Sequence, residues 1–355
     1  MKSYVKAMGT LVCALLVMAA TFTTARGVER VRFRLNWISA GEGDHAPFYV
    51  AKDLGYYEAL GLDVTIEKGS GSGDAVKFVE VGKVDLAIAD FPAIAVARAR
   101  GADVRIVAAY HVNSPNTAWT RKDTGITTPK DLAGHTIGSP AGDAQRIAFP
   151  AFAKKVGLDP DSVKWVNIHP AAKIQSLASK TIDVTVHWFD QLHTYRKIIG
   201  KENLVYFRWA DYGVNPYGMA IFTSERMLKE KPDVVKRFVD ATLRAQRWTI
   251  LNPRKAIQIQ KKYVPEVVVE PVLGMLEVSI KYMFFGSTIL RHGLGWIDRQ
   301  RMDQSVNIMN TYFGLPRPLN AEELYTNDFV PHHTWPYPEE FTDPSTWPWP
   351  YRFGS

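Results

Sequence analysis

Residues 31–65, VRFRLNWISAGEGDHAPFYVAKDLGYYEALGLDVT, decide the fold. Val31, Phe33 and Leu35 alternate with Arg32, Arg34 and Asn36, the period-two pattern of a half-buried strand that ends at Trp37. A polar loop with glycines and acids follows, SAGEGDH. From Ala46 to Leu60 the apolar residues Phe48, Ala51, Leu54, Tyr57 and Leu60 fall at helical spacing. Gly61 stops the helix, because glycine accepts the left-handed turn there, and a second strand starts at Leu62. The unit is βαβ. Its first loop, with Glu42, Asp44 and His45, lies at the carboxyl end of its first strand, where ligands of open α/β sheets bind.

The run HAPFYVAKDLGYYEALGLDV, residues 45–64, resembles the opening of periplasmic substrate-binding proteins of ABC importers. Within them it is most similar to the group that binds nitrate, taurine, alkanesulfonates and thiamine-pyrimidine precursors. VGKVDLAIADFPAI (81–94) resembles the same group's third strand and loop, and TPKDLAGHTIG (128–138) its strand into the second lobe. The resemblance reaches about Pro253. It implies an α/β fold of two lobed domains with a central cleft, periplasmic binding protein type II-like. Lobe 1 is expected to be discontinuous, 29–113 and 218–326, with lobe 2 at 114–217. The two chain crossings, near 112–117 and 215–219, would be the hinges. A Pro/Trp-rich tail, 331–355, lies beyond the resemblance, and its prolines forbid a regular helix.

The N-terminus reads as a cleaved signal, residues 1–25. Lys2 and Lys6 precede an apolar run, Leu11 to Ala20, which is too short to span a bilayer, and Thr23-Thr24-Ala25 supplies small residues for cleavage. The expected location is the periplasm. The only cysteine, Cys13, falls inside that signal, so the mature chain is expected to have no disulfide and no thiolate metal site. Removing Lys2 and Lys6 takes the formal charge from +7 to +5, and the Lys/Arg residues are interspersed with acids. That is a solvated-face pattern and gives no nucleic-acid surface. Hydrophobic residues make up 46% of 355, enough for large cores and two domains.

Further strand-end loops offer candidate ligand contacts. Ser70 sits in the Gly/Ser loop 69–74, which lacks the spacing of a dinucleotide or P-loop motif. Asp90 ends the third strand, and Tyr110 and His111 end the fourth. Ser139 and Asp143 precede a long helix. In relatives this loop holds ligands on a helix N-terminus, and Asp143 there either caps the helix or meets a cationic or donor-rich ligand. In both cases it weakens the site for a small anion. His187, Trp188 and Asp190 end the strand from Ile182, and Asp211 and Tyr212 lie in the loop 209–218. Asn116 to Thr120 reads as the crossing, with Trp119 heading toward a surface turn. The helices up to Phe313 are expected to pack on lobe 1.

Together with Trp37, these side chains form a set of aromatics and carboxylates. Rings stack flat ligands, and carboxylates accept from ring N–H and amino groups. The set suits an aromatic N-heterocycle such as a pyrimidine. A sulfonate, taurine or nitrate pocket would call for Arg, Lys and free helix N-termini, and that reading, with an aromatic acid, is the alternative. His45 with Asp44, or His187 with Asp190, could act as acid–base pairs, but no catalytic signature accompanies them. The resemblance includes one enzyme branch, the yeast-type pyrimidine synthases, whose cysteine-rich iron-binding segment has no counterpart here. The expectation is therefore a monomeric binder, not an enzyme, with no cofactor and no metal. Its partners would be a small-molecule ligand and an inner-membrane permease.

Overall fold

The computed structural model describes residues 27–331 apart from 142 and 286–291. The expected signal and the tail beyond Pro331 lie outside the described residues.

Two mixed five-stranded sheets organise the chain. The first contains β1 (Glu29–Arg34), β2 (Leu62–Glu67), β3 (Leu86–Asp90), β4 (Val104–Ala109) and β10 (Met219–Ser224), in the order β2-β1-β3-β10-β4. The second contains β5 (Asn116–Arg121), β6 (Thr136–Gly138), β7 (Lys164–Val166), β8 (Val184–Trp188) and β9 (Leu204–Arg208), in the order β7-β6-β8-β5-β9. The plan is the same twice. Parallel pairing joins β1 to β2 and β3, and β6 to β7 and β8. One antiparallel strand is then inserted beside the third parallel one: β10 in the first sheet, β5 in the second. Each inserted strand follows directly on a crossing between the sheets. The central strand β3 is buried on both faces, as its uninterrupted Leu86–Ala89 run requires, while edge-side β1 keeps the alternation of its sequence.

One local expectation needs correction. The helix expected over 46–60 is two helices, α1 (Ala46–Asp53) and α2 (Tyr56–Ala59), because Gly55 between them adopts φ +70°. Trp119 leads, as expected, into a surface turn at Lys122–Thr124, but its own ring is not at the surface. It is fully buried on the interior strand β5 and stacks on Tyr195, ring centroids 4.3 Å apart.

Helices α3 (Ser72–Glu80) and α4 (Phe91–Ala99) follow β2 and β3; α5 (Ala144–Val156), α6 (Lys173–Ala178) and α7 (Leu192–Ile199) follow β6, β7 and β8. After β10 come α8 (Glu225–Glu230), α9 (Pro232–Leu251), α10 (Pro253–Tyr263), α11 (Val269–Ser279) and α12 (Arg299–Tyr312). The buried stripe of α9 packs on the first sheet, with Phe238 against Phe33 (4.9 Å) and Tyr57 (5.2 Å). The later helices pack on the first core as expected, through Leu276, Met302 and Met309, and reach the second sheet as well. A Cβ on Gly43 would meet Val272 O of α11 at 2.5 Å, and one on Gly274 of α11 would meet His193 of α7 at 3.1 Å. Val278 and Met283 share a core with Trp119, Phe189 and Tyr195, and Ile308 and Tyr312 pack on Phe149's core. An apolar helix face covers whichever sheet it reaches, and these helices reach both.

The crossings touch. Asn215 Nδ2 donates to Asn113 Oδ1 (3.0 Å), and Ser114 N donates to Asn215 Oδ1 (2.8 Å). Arg301 of α12 donates to Val112 O, to Asn113 Oδ1 (3.1 Å) and to Asn215 O (3.4 Å), so one guanidinium holds both chains.

Candidate functional site

The loop after β1 is held by a chain of hydrogen bonds. Tyr49 OH donates to Ser39 Oγ (3.0 Å), which pairs with His45 Nδ1 (3.0 Å), and His45 Nε2 pairs with Asn36 Oδ1 (2.9 Å). Asn36 Nδ2 in turn faces Met219 Sδ. That order of donors fixes His45 as the neutral Nε2–H tautomer. Burial pushes its pKa down in the same direction. Gln260 of α10 donates to the backbone oxygens of Ser39 (2.8 Å) and Glu42 (2.9 Å). His45 therefore shapes the loop instead of facing a ligand. Tyr110 does the same from β4, its hydroxyl donating to Asp44 O while its ring packs on Phe48 (5.2 Å).

What the loop presents is Asp44. Its carboxylate lies 3.1 Å from His111 Nε2, off the hydrogen-bond axis, and both side chains are buried. Burial alone would raise the Asp44 pKa, but His111 and His45 bring it below the usual carboxylate range. His111 also meets Trp188 of the second sheet edge-on, ring centroids 6.2 Å apart. The carboxyl ends of the two sheets thus come together at His111 and Trp188.

From the second sheet, Asp143 caps α5 by accepting from Gln145 N (3.2 Å), and it accepts from Ser139 Oγ (2.6 Å) and from Lys173 Nζ. Lys173 is only 5% exposed and also donates to Val186 O (3.0 Å). The Gln145 amide, with its nitrogen turned to Asp143, accepts from Trp188 Nε1 (2.6 Å). Asp143 is thereby the anion of its own helix N-terminus. His187 pairs with Tyr195 OH (3.2 Å); burial, then the Lys173 charge, holds it far below its ordinary pKa.

Three more acids lie close enough to act on this group. Asp190, 2% exposed, has its Oδ1 buried without a partner; burial, then Asp44, pushes it up to about 8. Asp90 accepts from Ser72 Oγ (3.0 Å) and is pushed up to about 7, mainly by burial. Glu42 has a buried, unpartnered Oε2, and burial with the charges of Asp190, Asp44 and Asp90 raises it well above normal. Asp143 acts on Asp90 as well. Carboxyls from both sheets therefore act on one another in a buried space, which raises Glu42, Asp90 and Asp190. Among the described residues no group of three or more His, Cys, Asp or Glu is arranged to hold a metal ion.

Of the residues expected from sequence, the structure brings together Asp44, His111, Trp188, Asp190, Asp90, Asp143 and Ser139. For Ser70, Asp211, Tyr212 and Trp37 the structure shows no contact with this group. Ser70 is exposed and donates its N–H to Asp74, serving the start of α3. Asp211 is exposed and paired with Arg208, whose Nε lies 2.8 Å away. Tyr212 lies edge-on to Phe152 and Phe207 at the margin of the second core. Trp37 is 41% exposed at the end of β1, where its carbonyl accepts from Gly69 N. Lys173, Gln145, Asn36 and Ser72 were not anticipated. None stands in a motif, and only their pairing with an anticipated residue gives them meaning.

The chain was compared with known proteins. The NMT1/THI5-like family model matches residues 42–256, more than half of the chain. A formylaminopyrimidine-binding protein of Halalkalibacterium halodurans is 23% identical over 332 residues, 92% of this chain and 99% of the relative. The riboflavin-binding protein RibY of Chloroflexus aurantiacus is 24% identical over 81% of this chain and 82% of its own. A 4-amino-5-hydroxymethyl-2-methylpyrimidine phosphate synthase of Candida albicans is 25% identical over 88% and 90%. In structure, the chain is similar to the periplasmic aliphatic sulphonate binding protein SsuA of Escherichia coli, with TM-score 0.63, 13% identity, and 83% and 91% of the two chains covered. That likeness establishes the periplasmic-binding-protein fold for the two sheets.

Proposed function

The chain belongs to the NMT1/THI5-like family, and from that premise we propose that it is the solute-binding component of an ABC importer, working outside the cytoplasm. Its cargo is a small aromatic N-heterocycle rich in hydrogen-bond donors, of the pyrimidine or related vitamin-precursor class. One observation carries the ligand class: the crevice offers the unpartnered, buried Oδ1 of Asp190 and the buried carboxylate of Asp44, whose one close partner is His111, beside the half-buried Trp188. An aminated ring supplies what those groups lack, a face for the indole and donors for the oxygens. The formylaminopyrimidine- and riboflavin-binding relatives support the same class. A small oxyanion finds the N-terminus of α5 already filled by Asp143 and the nearby cation, Lys173, already neutralised.

In this reading residues 29–113 with 218–326 form one lobe and 114–217 the other. The crossings at 112–117 and 215–219 serve as hinges. Ligand joins groups from both lobes, and closure follows because the closed form holds it more tightly. The loaded protein is then presented to a membrane permease. The synthase relatives favour a second reading, an enzyme of pyrimidine synthesis.

The test is mass spectrometry of small molecules released from the freshly purified protein, with melting curves across pyrimidines, flavins, aromatic acids, sulfonates and nitrate. A cognate ligand at 100 times its Kd adds about 2.7 kcal/mol by mass action. Stabilisation by inorganic oxyanions alone would refute the ligand class, and turnover of any panel compound would establish the enzyme reading.

A further inference from the structure

We propose that Asp190 is a carboxylic acid in the ligand-free protein and acts as the proton donor to a basic ligand, which is then held as a cation against the carboxylate left behind. This rests on the reading that the crevice holds a donor-rich organic molecule. It adds the protonation state of that molecule and the residue that sets it.

The geometry points to it as follows. Asp190 follows β8 directly, and its Oδ1 is buried and makes no aligned hydrogen bond, although the Gln191 side chain and the N–H groups of Gln191 and Asp190 lie near the carboxyl and oppose the rise of its pKa. The titratable and charged groups around it come from four elements. Asp44 and Glu42 act from the loop after β1. His193 and Tyr195 lie on α7, Glu277 lies on α11, and Arg208 lies over the neighbouring Phe189 ring, 5.0 Å from its centroid. Arg208 is committed to Asp211. His193 packs against Gly274 and acts on Glu277. The charge that reaches Asp190 is that of Asp44, an anion. A buried carboxyl beside an anion and without a cation keeps its proton, and burial with Asp44 does push Asp190 up to about 8.

A proton so placed is available to whatever enters. A heterocycle with a ring nitrogen next to an amino group presents one acceptor and one donor on a single edge. The Asp190 O–H bond breaks, an N–H bond forms to the ring nitrogen, and the two charges created remain paired through two hydrogen bonds. The new cation also lies in the field of Asp44, which repelled an ionised Asp190. An anionic ligand would add a further negative charge to the same space.

The test begins without any ligand. Difference infrared spectra of the full chain against Asp190→Asn should show a protonated-carboxyl band at pH 6.5 that the variant lacks and the wild type loses by about pH 9.5, beyond the value of about 8. No such band at pH 6.5 overturns the proposal; because Asp90 and Glu42 are raised as well, the band is assigned by the difference from Asp190→Asn or, if that variant fails to fold, from Asp190→Glu, where an unchanged band overturns the assignment. The second arm adds 4-amino-2-methylpyrimidine at a pH where the free probe is neutral. Binding should bleach the band and shift the probe's ultraviolet spectrum to its protonated form, and Asp190→Asn should bind it about 10- to 100-fold more weakly. A base that binds and leaves the band intact overturns the donor role. If the band is present and no basic compound in the melting panel binds, the ligand class has failed, and the donor role falls with it while the protonated carboxyl stands.

Discussion

Asp143→Ala would leave a buried ammonium without its anion. Lys173 is 5% exposed, and its other acceptor is a neutral carbonyl, Val186 O at 3.0 Å. Removing one member of a buried pair costs about 3–5 kcal/mol, and losing the α5 cap adds about 1 kcal/mol. At about 2–4 °C per kcal/mol, the melting temperature should fall by roughly 8–24 °C. The vacated position keeps its donors: Ser139 Oγ, Gln145 N and Lys173 Nζ. A small anion should fill it. Formate at 100 times its Kd would restore about 2.7 kcal/mol, and nitrate or methanesulfonate should act in the same way, while the wild type ignores all three.

Calorimetric or dye-monitored melting in matched ionic strength reads this directly, with the double variant Asp143→Ala, Lys173→Met as the control. Apolar groups in place of a buried pair are often neutral or stabilising, so the double should melt above the single and lose the anion response. The pH dependence has a definite sign. Burial lowers the Lys173 pKa even in the wild type, with Asp143 opposing the shift. Without Asp143 the native state binds fewer protons than the unfolded chain below the ordinary lysine pKa, so the stability of the single variant rises with pH from neutral toward about 10. A single variant that melts within about 2 °C of the wild type, or a double no better than the single, would show that Asp143 and Lys173 are not the coupled pair on which the exclusion of oxyanions rests.

Trp188→Ala should weaken the cognate ligand about 2- to 10-fold, the share of one aromatic contact, and also lower the melting temperature. Trp37→Ala should leave the melt unchanged, since that ring is exposed; unchanged affinity in both variants would remove stacking from the site. Arg301→Met deletes the guanidinium that holds Val112, Asn113 and Asn215 together, and should cost about 2–4 kcal/mol and widen the ligand-free particle in small-angle scattering. A variant with wild-type stability and dimensions would deny the clasp. Between pH 7 and 8.5 the ligand-free protein should lose stability, by up to about 1.4 kcal/mol per unit per group. Asp90 and Asp190, raised to about 7 and about 8, bind protons in the native state that the unfolded chain has lost. His45 and His187, held low, act only below about pH 6.5 and in the opposite sense. Melting against pH should show a smaller slope in Asp190→Asn.

The sheets were legible wherever a strand's burial leaves a pattern. Val31, Phe33 and Leu35 alternate because β1 shows its two faces to different surroundings, and Leu86–Ala89 runs unbroken because β3 shows both faces to apolar ones. Asn116-Thr117-Ala118-Trp119-Thr120 was read as the crossing into the second lobe and not as a strand; it carries polar residues, yet Thr117 and Thr120 are fully buried on β5. A threonine can satisfy its hydroxyl on a nearby carbonyl, as Thr117 does on Pro115 O (3.1 Å) and Thr120 on Asp183 O (2.8 Å). Its composition then says little about its depth.

The site was legible in position but not in role. Asp190 and Asp211 both follow strands of the second sheet, and position alone ranks them equally. What separates them is a cation three residues earlier. Arg208 neutralises Asp211 on the surface, whereas Asp190 is preceded by aromatic residues and finds none. Asp44 and Asp143 divide in the same way. Asp143 has a lysine contributed by α6, thirty positions along the chain, and so becomes part of the scaffold. Asp44 has only His111, a partner that carries charge only when protonated, and its oxygens make no aligned hydrogen bond. An acid saturated by a permanent cation closes a site to anions, and an acid left without one opens the site to donors. Both kinds stand at the ends of neighbouring strands here, and that division is the physical basis on which this crevice would select a ring with amino groups over a sulfonate.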